Sequence, residues 1–447
     1  MRSGRSFLLM LIVAAGLGSY IYFVEMKRDP TETTVTPRDK VFAVTPGTVE
    51  EVEITNDKAQ VTRAAKKGDT WAIVAPTAME ADSNEVIQMV SQLETLERTK
   101  VIEENPSSAA PFGLEPARIR VSFKTTGDAT PKALLIGNKT PTGGDLYAKV
   151  DGQPAVFLIG AFLEDTFNRK PFDLREKTVL KFSTNDVTSV TLVQGTARVA
   201  LEKTGNDWKL TAPSSAKADG AAVGALIGQV AQAKMTGITE GEASPAALKE
   251  HGLDKPQVIV TIGAGSAKAE LAIGKKEDET HVFARDLSRP LIFSVDKALL
   301  EGLTKKADDF RVKDVFAFRS FTATGIDVVA GGQTYTFAKK KEGDVDKWAQ
   351  TKPADKAVDG TKFDDFLTTI SNLRAESFSE KPLTGGESVT VTARFGDANA
   401  PQTETITLRK VGTAVHATRS GEPGAAVVST TDFDRAMGLF RELTGAK

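Results

Sequence analysis

Few residues in this chain have the types and spacing that covalent chemistry needs. Ser214-Ser-Ala-Lys217 is a Ser-x-x-Lys and Lys203-Thr-Gly205 a Lys-Thr-Gly, two pieces of a serine acyl-transfer site. They stand in the wrong chain order, and no Ser-Asp-Asn accompanies them. Lys203-Thr-Gly205 also belongs to a turn before a tryptophan that recurs as Lys66-Lys-Gly68 and Lys341-Glu-Gly343, and Ser214 corresponds to Thr77, which no lysine follows at the right distance. Gly263-Ala-Gly265-Ser-Ala-Lys268 looks suited to phosphate, yet it lacks the last glycine of a dinucleotide loop and joins two predicted strands. Its counterpart, Thr125-Thr-Gly-Asp128, reads as a hairpin turn. The acidic runs Glu277-Asp-Glu279 and Asp308-Asp309 fit no calcium loop and read as solvated edges. With no cysteine, the chain can form neither disulfides nor thiolate metal sites; with only His251, His281 and His416, a histidine-rich metal site is not expected either. The expectation is no catalytic residue, no cofactor and no metal.

One polar pattern recurs. Tyr147-Ala-Lys149, Phe283-Ala-Arg285 and His416-Ala-Thr-Arg419 each set an aromatic ring and a base on a similar strand. If side chains alternate, Tyr147 and Lys149 share a face. Such a cationic stripe could grip an acidic partner, an anionic lipid headgroup or a glycan. The bland alternative is a half-buried aromatic beside a solvated base.

The elements that would position these residues are repeated. Trp71-x4-Pro76, Trp208-x4-Pro213 and Trp348-x4-Pro353 recur at intervals of 137 and 140 residues, each preceded by a glycine (Gly68, Gly205, Gly343) and followed by an aspartate (Asp82, Asp219, Asp359). Arg175-Glu-Lys-Thr-Val-Leu-Lys-Phe182 resembles Arg311-Val-Lys-Asp-Val-Phe-Ala-Phe318, and Arg38-Asp-Lys-Val-Phe42 echoes both. Solenoid units run about 20–50 residues, so this longer period means tandem domains. In the first copy, alternation predicts strands over Val49–Thr55, Gln60–Ala64 and Thr70–Val74, then a helix opened by Asp82 with Val86, Met89, Val90, Leu93 and Leu96 on one face. Asp82 and Glu85 would form a capping box. Strands Arg118–Lys124, Lys132–Ile136, Leu146–Val150 and Ala155–Ile159 and a closing helix near Ala161–Asn168 follow. The tryptophans read as core anchors and the aspartates as helix caps. The expected fold is α+β: an N-terminal transmembrane helix, then three tandem strand-rich repeats, each a mostly antiparallel sheet with about two helices. Expected boundaries are 1–26 for a cytoplasmic tip and anchor, 27–41 for a linker, then 42–181, 182–317 and a divergent 318–447.

The Trp-x4-Pro-x5-Asp segment, Phe112-Gly-Leu-Glu-Pro116, Leu135-Ile-Gly137 through Pro141 leading to Tyr147-Ala-Lys149, and Val156-Phe-Leu together resemble the bacterial domain of unknown function 4340. The second copy repeats the pattern in His251-Gly-Leu-Asp-Lys-Pro256 and Ala272-Ile-Gly274. The third has no Gly-Leu-acid element leading to a Pro, and Leu408-Arg-Lys stands where Ile-Gly would be. The resemblance implies membrane-anchored, repeated extracytoplasmic domains, often beside gliding-motility-type ABC export systems. It supplies no catalytic residues.

The first thirty residues imply a location. An uncharged run, Ser6–Val24, follows Arg2 and Arg5 and ends in Tyr20, Tyr22 and Phe23. As a helix it would span nearly 30 Å, about a bilayer's hydrocarbon core; a cleaved signal peptide is the alternative. A single-pass anchor in a bacterial inner membrane is expected, with the N-terminus inside and the bulk of the chain periplasmic. Of 447 residues, 57 are Lys or Arg and 59 Asp or Glu, a net charge of -2 that argues against nucleic acid as a partner. The function expected is a non-enzymatic scaffold or binding subunit touching integral membrane transport subunits. The alternatives are a glycan- or cell-wall-binding protein and a hydrolase whose acidic pair only the fold assembles.

Overall fold

The computed structural model describes residues 39–446 except 129, 240, 242, 343–344 and 397–399. Ser6–Val24 lies outside the described residues, among which no helix is long and apolar enough to cross a membrane. The chain forms two compact units, one ending at Lys177 and holding one sheet, the other starting at Thr178 and holding two.

In the first unit the strands are β1 (Val49–Thr55), β2 (Val61–Lys67), β3 (Thr70–Ala75), β4 (Met79–Glu80), β5 (Lys100–Glu103), β6 (Ile119–Thr125), β7 (Lys132–Lys139), β8 (Asp145–Val150) and β9 (Val156–Gly160). They make one sheet in the order β4-β3-β2-β1-β6-β7-β8-β9-β5, with antiparallel pairing throughout. The β2–β3 hairpin turns at Gly68, whose φ of 61° is costly for a residue with a Cβ, and Gly205 repeats that value in the second sheet. The second and third sheets have nine strands each in the same order, spanning Ser189–Asp296 and Ala323–Val428. One topology is therefore built three times.

Each sheet buries one face under a helix that starts after the Trp-x4-Pro segment: α1 (Ser83–Glu94), then its counterparts Gly220–Gln232 and Gly360–Ser371. Val86, Met89, Val90 and Leu93 of α1 are buried, as are Val223, Leu226, Ile227 and Val230, and Phe363, Phe366, Leu367 and Ile370. Trp71 and Trp208 are buried among these residues, and the half-buried Trp348 packs on Phe363 with ring centroids 4.9 Å apart. Pro76, Pro213 and Pro353 each follow a cis peptide bond.

Asp82, Asp219 and Asp359 all cap these helices. Asp82 accepts from the Asn84 and Glu85 amides, Asp219 from Ala221 and Ala222, and Asp359 from Lys362. Only half of the expected capping box forms. The Asp82 amide donates to the Leu174 carbonyl at 2.9 Å, and Glu85 pairs with Arg169 at 2.9 Å. Asp82→Ala or Asp219→Ala should cost about 1 kcal/mol of stability by urea unfolding. An unchanged midpoint in both would mean that the carboxylates do not hold the first turn.

Helix number varies among the repeats. The closing helix of the first is short (α2, Leu163–Phe167), whereas that of the third is fifteen residues long (Thr430–Thr444). Among the described residues the second has three helices, because Pro245–Glu250, capped by the Ser244 hydroxyl, adds one between Gly220–Gln232 and Lys297–Leu303.

Candidate functional site

Alternation places Tyr147 and Lys149 on the face of β8 away from the helix-covered core, since Leu146 and Ala148, which alternate with them, are buried in that core. Tyr147 packs on Phe112 at 5.0 Å between ring centroids, and Phe283 packs on His251 at 4.2 Å. Two small apolar clusters result, one with Ala109, Leu114 and Val156, the other with Leu253, Ala272 and Ile292. These aromatic rings therefore close a second, smaller core. Arg285 donates to the Arg289 carbonyl at 3.3 Å.

Register separates the third copy from the other two. Ile136 pairs with Ala148, Ile273 with Ala284 and Leu408 with Ala417. His416 thus stands where Tyr147 and Phe283 do, and Thr418 where Lys149 and Arg285 do. Arg419, paired with Ile406, falls one residue later and on the opposite face. The three bases do not share one strand position.

The same registers explain the Gly-Leu and Ile-Gly motifs. A Cβ on Gly137 would lie 2.1 Å from the Phe112 carbonyl oxygen, and one on Gly274 would lie 2.3 Å from that of His251. The Phe112-Gly113 and His251-Gly252 turns therefore rest directly on the backbone of the neighbouring strand, where the pairing shifts between Ile136 and Lys139 and between Ile273 and Lys276. In the third sheet Arg409 occupies this place, pairing with His416 runs on without a shift, and the Arg409 guanidinium donates to the Gly385 carbonyl at 2.9 Å.

A second recurrent device lies at the repeat seams. Val41, Val179 and Val315 donate their amides to Leu96, Ala233 and Leu373, at the ends of the three core helices. In the second unit a guanidinium also clasps each seam. Arg289, paired with the buried Asp286 at 2.7 Å, donates to the Thr178 and Val179 carbonyls. Arg419 donates to the Val315 carbonyl at 2.7 Å and pairs with Glu404. The Glu404 side chain, 7% exposed, accepts from the Ala317 and Phe318 amides at 2.8 and 2.9 Å.

Beside this clasp the second unit opens a cleft of about 500 Å³. Lys217 on the short edge strand Ala216–Lys217 of the second sheet, seam residues Arg311, Lys313 and Phe316, and Phe378 and Arg419 of the third repeat line it. Asp314 takes both Arg319 and, at 3.4 Å, Arg374. Arg311 differs from its neighbours. Its guanidinium sits 3.8 Å over the Phe378 ring and its side chain is 13% exposed. Its nearest acid is Asp308 at 3.9 Å, and its N–H groups make no hydrogen bond among the described residues. Burial pushes its pKa below the ordinary value, opposed by Asp308 and Glu422.

Family comparison follows this geometry. The model for the domain of unknown function DUF4340 matches residues 71–209 and 208–393, so each match begins at a tryptophan that anchors a core. The chain belongs to the DUF4340 family. No curated protein matches this DUF4340 chain. Among solved structures, a DNA polymerase sliding clamp from Pseudomonas aeruginosa with ligand is 9% identical, with 87% of this chain and 93% of that chain covered and a TM-score of 0.14. The DNA polymerase III subunit beta from Pseudomonas aeruginosa has the same identity and coverage and a TM-score of 0.16. Similarity at that level carries no structural argument.

Among the described residues no three His, Asp or Glu side chains stand together as metal ligands. The Glu277-Asp-Glu279 run instead holds a histidine. Asp278 accepts from the His281 amide at 2.8 Å and contacts its Nδ1 at 2.9 Å. The hydrogen bond to Asp278 raises the His281 pKa, and the same bond, with the Thr280 amide, holds the Asp278 carboxyl well below its usual range. A raised histidine pKa adds stability that is complete below the unfolded value and is lost as pH rises through the folded one; the depressed aspartate adds stability that is complete above its unfolded value and is lost as pH falls through the folded one. NMR titration should give His281 a pKa above 6.5, the ordinary value, and Asp278→Asn should bring it back. A wild-type value at or below 6.5 would break the assignment.

Sequence reasoning missed Arg311 as a cleft residue, Glu404 and Phe378. The only available signal was the recurrence of Arg175 at Arg311. The sixty-odd residues between Arg311 and Phe378 hid their contact.

Proposed function

We propose that this DUF4340 chain is a membrane-anchored extracytoplasmic scaffold that binds integral membrane transport subunits and performs no catalysis of its own. The observation that carries the proposal is the threefold construction: one nine-strand order, with a Trp-bearing segment and a capped helix, repeated along the chain. Repeated modules present several surfaces from a single tether, so a partner touching two of them gains through effective concentration. The uncharged Ser6–Val24 run, long enough as a helix to cross a bilayer, supports an inner-membrane tether with the bulk of the chain in the periplasm. The class of partner proposed, an ABC-type transport system, rests on the family resemblance alone.

Affinity purification of the full chain from detergent-solubilised membranes tests this proposal. Co-purification of a permease-type subunit is the expected result, together with release of the chain to the soluble fraction when residues 1–26 are removed. Recovery of the chain alone, or a cytosolic full-length chain, would overturn it.

A further inference from the structure

We infer that the cleft between the second and third repeats is a binding site for a small organic oxyanion, a carboxylate or phosphate group carried on an apolar body, with Arg311 as its principal ligand. A guanidinium offers five N–H donors in a planar fork that matches such oxyanions two bonds at a time. Burying a charge without hydrogen-bond partners is costly, and three arginines at the seams of this unit avoid that cost. Arg419 has Glu404 and the Val315 carbonyl, Arg289 has Asp286 and two carbonyls, and Arg319 has Asp314. Arg311 alone among these has its flat face on an aromatic ring and its donors unused among the described residues.

The surroundings agree with an anionic ligand. Lys217 and Lys313 stand exposed on the cleft wall without an ion pair among the described residues, which leaves Asp308 and Glu422 as the acids facing Arg311. Phe316, Ile406 and Phe378 give the cleft apolar walls. A volume of about 500 Å³ suits a small molecule. The assignment does not depend on the chain being tethered to a membrane.

The probes are phenyl phosphate and phenylacetate, with benzyl alcohol as the neutral control, titrated calorimetrically into the full chain at low salt. At least one anion should bind with one-to-one stoichiometry and an affinity around 1 mM or tighter. Benzyl alcohol should not bind measurably, and added salt should weaken the anion. Arg311→Gln should weaken it about tenfold or more, the loss expected for hydrogen bonds to a charged group. Because Arg311 is largely buried, the exposed pair Lys217→Glu with Lys313→Glu provides a second test that spares the fold, and it should weaken binding severalfold. Absence of saturable binding by either anion up to about 10 mM would overturn the inference. Binding unchanged in both variants, or equal binding of benzyl alcohol, would do the same.

Discussion

Glu404→Ala should cost the third repeat about 3–5 kcal/mol, the range for breaking a buried ion pair by removing one partner. Glu404 holds three groups at once: the Arg419 guanidinium and the amides of Ala317 and Phe318. Truncation leaves two seam N–H groups without an acceptor and Arg419 with only the Val315 carbonyl and Glu422 nearby. Glu404→Gln keeps one acceptor oxygen for the amides and loses the charge, so its cost should fall well below that of alanine. Adding Arg419→Met to Glu404→Ala should cost less than the two single losses combined, since the second change removes the stranded charge. Urea unfolding followed by circular dichroism measures the parent and the four variants. A Glu404→Ala chain within about 1 kcal/mol of the parent would mean that the clasp adds little.

Phe440→Ala should have a comparable effect for an apolar reason. Phe440, on the closing helix Thr430–Thr444, is buried and meets Tyr335 edge-on at 5.1 Å and Phe366 at 5.7 Å. Phe366 continues the aromatic chain to Phe363, which touches Phe337 and Trp348. Removing this ring from the middle of the array leaves a cavity that two packed helices cannot easily collapse, at a cost of about 3–5 kcal/mol. Trp348 reports on it directly. In a chain with Trp71 and Trp208 replaced by Phe, Trp348 fluorescence should follow third-repeat unfolding, and its urea midpoint should drop with Phe440→Ala. An unmoved midpoint would show that the array does not bind the two helices together.

The repeat was legible because its markers are local. Trp-x4-Pro and the following aspartate lie within a dozen residues, and the apolar faces of all three core helices follow from 3.6-residue spacing alone. Val49–Thr55 was readable to the residue for a similar reason, since one face is buried and the other is not. The edge strands Met79–Glu80 and Lys100–Glu103 were not legible. The first is too short to show a period, and the second is polar enough to read as a loop. The candidate strand residues were legible as a recurrence, but their surroundings were not. Nothing in Tyr147-Ala-Lys149 says that a turn thirty-five residues earlier covers the ring. The alignment of Arg419 with Lys149 failed because one extra residue in His416-Ala-Thr-Arg419 turns a side chain to the other side of a sheet.

The backbone contact between the Phe112-Gly113 turn and Gly137 sets a rule of joint inheritance. Two main chains that touch without an intervening Cβ leave neither partner free to change alone. A chain that gains a side chain at the strand glycine must shed the overlying turn, and once the turn is gone the glycine has no remaining purpose there. The third repeat has done both, with Arg409 in place and no Gly-Leu segment above it. Related chains should therefore keep or discard these two short words together, and a relative that spells only one of them would break the rule.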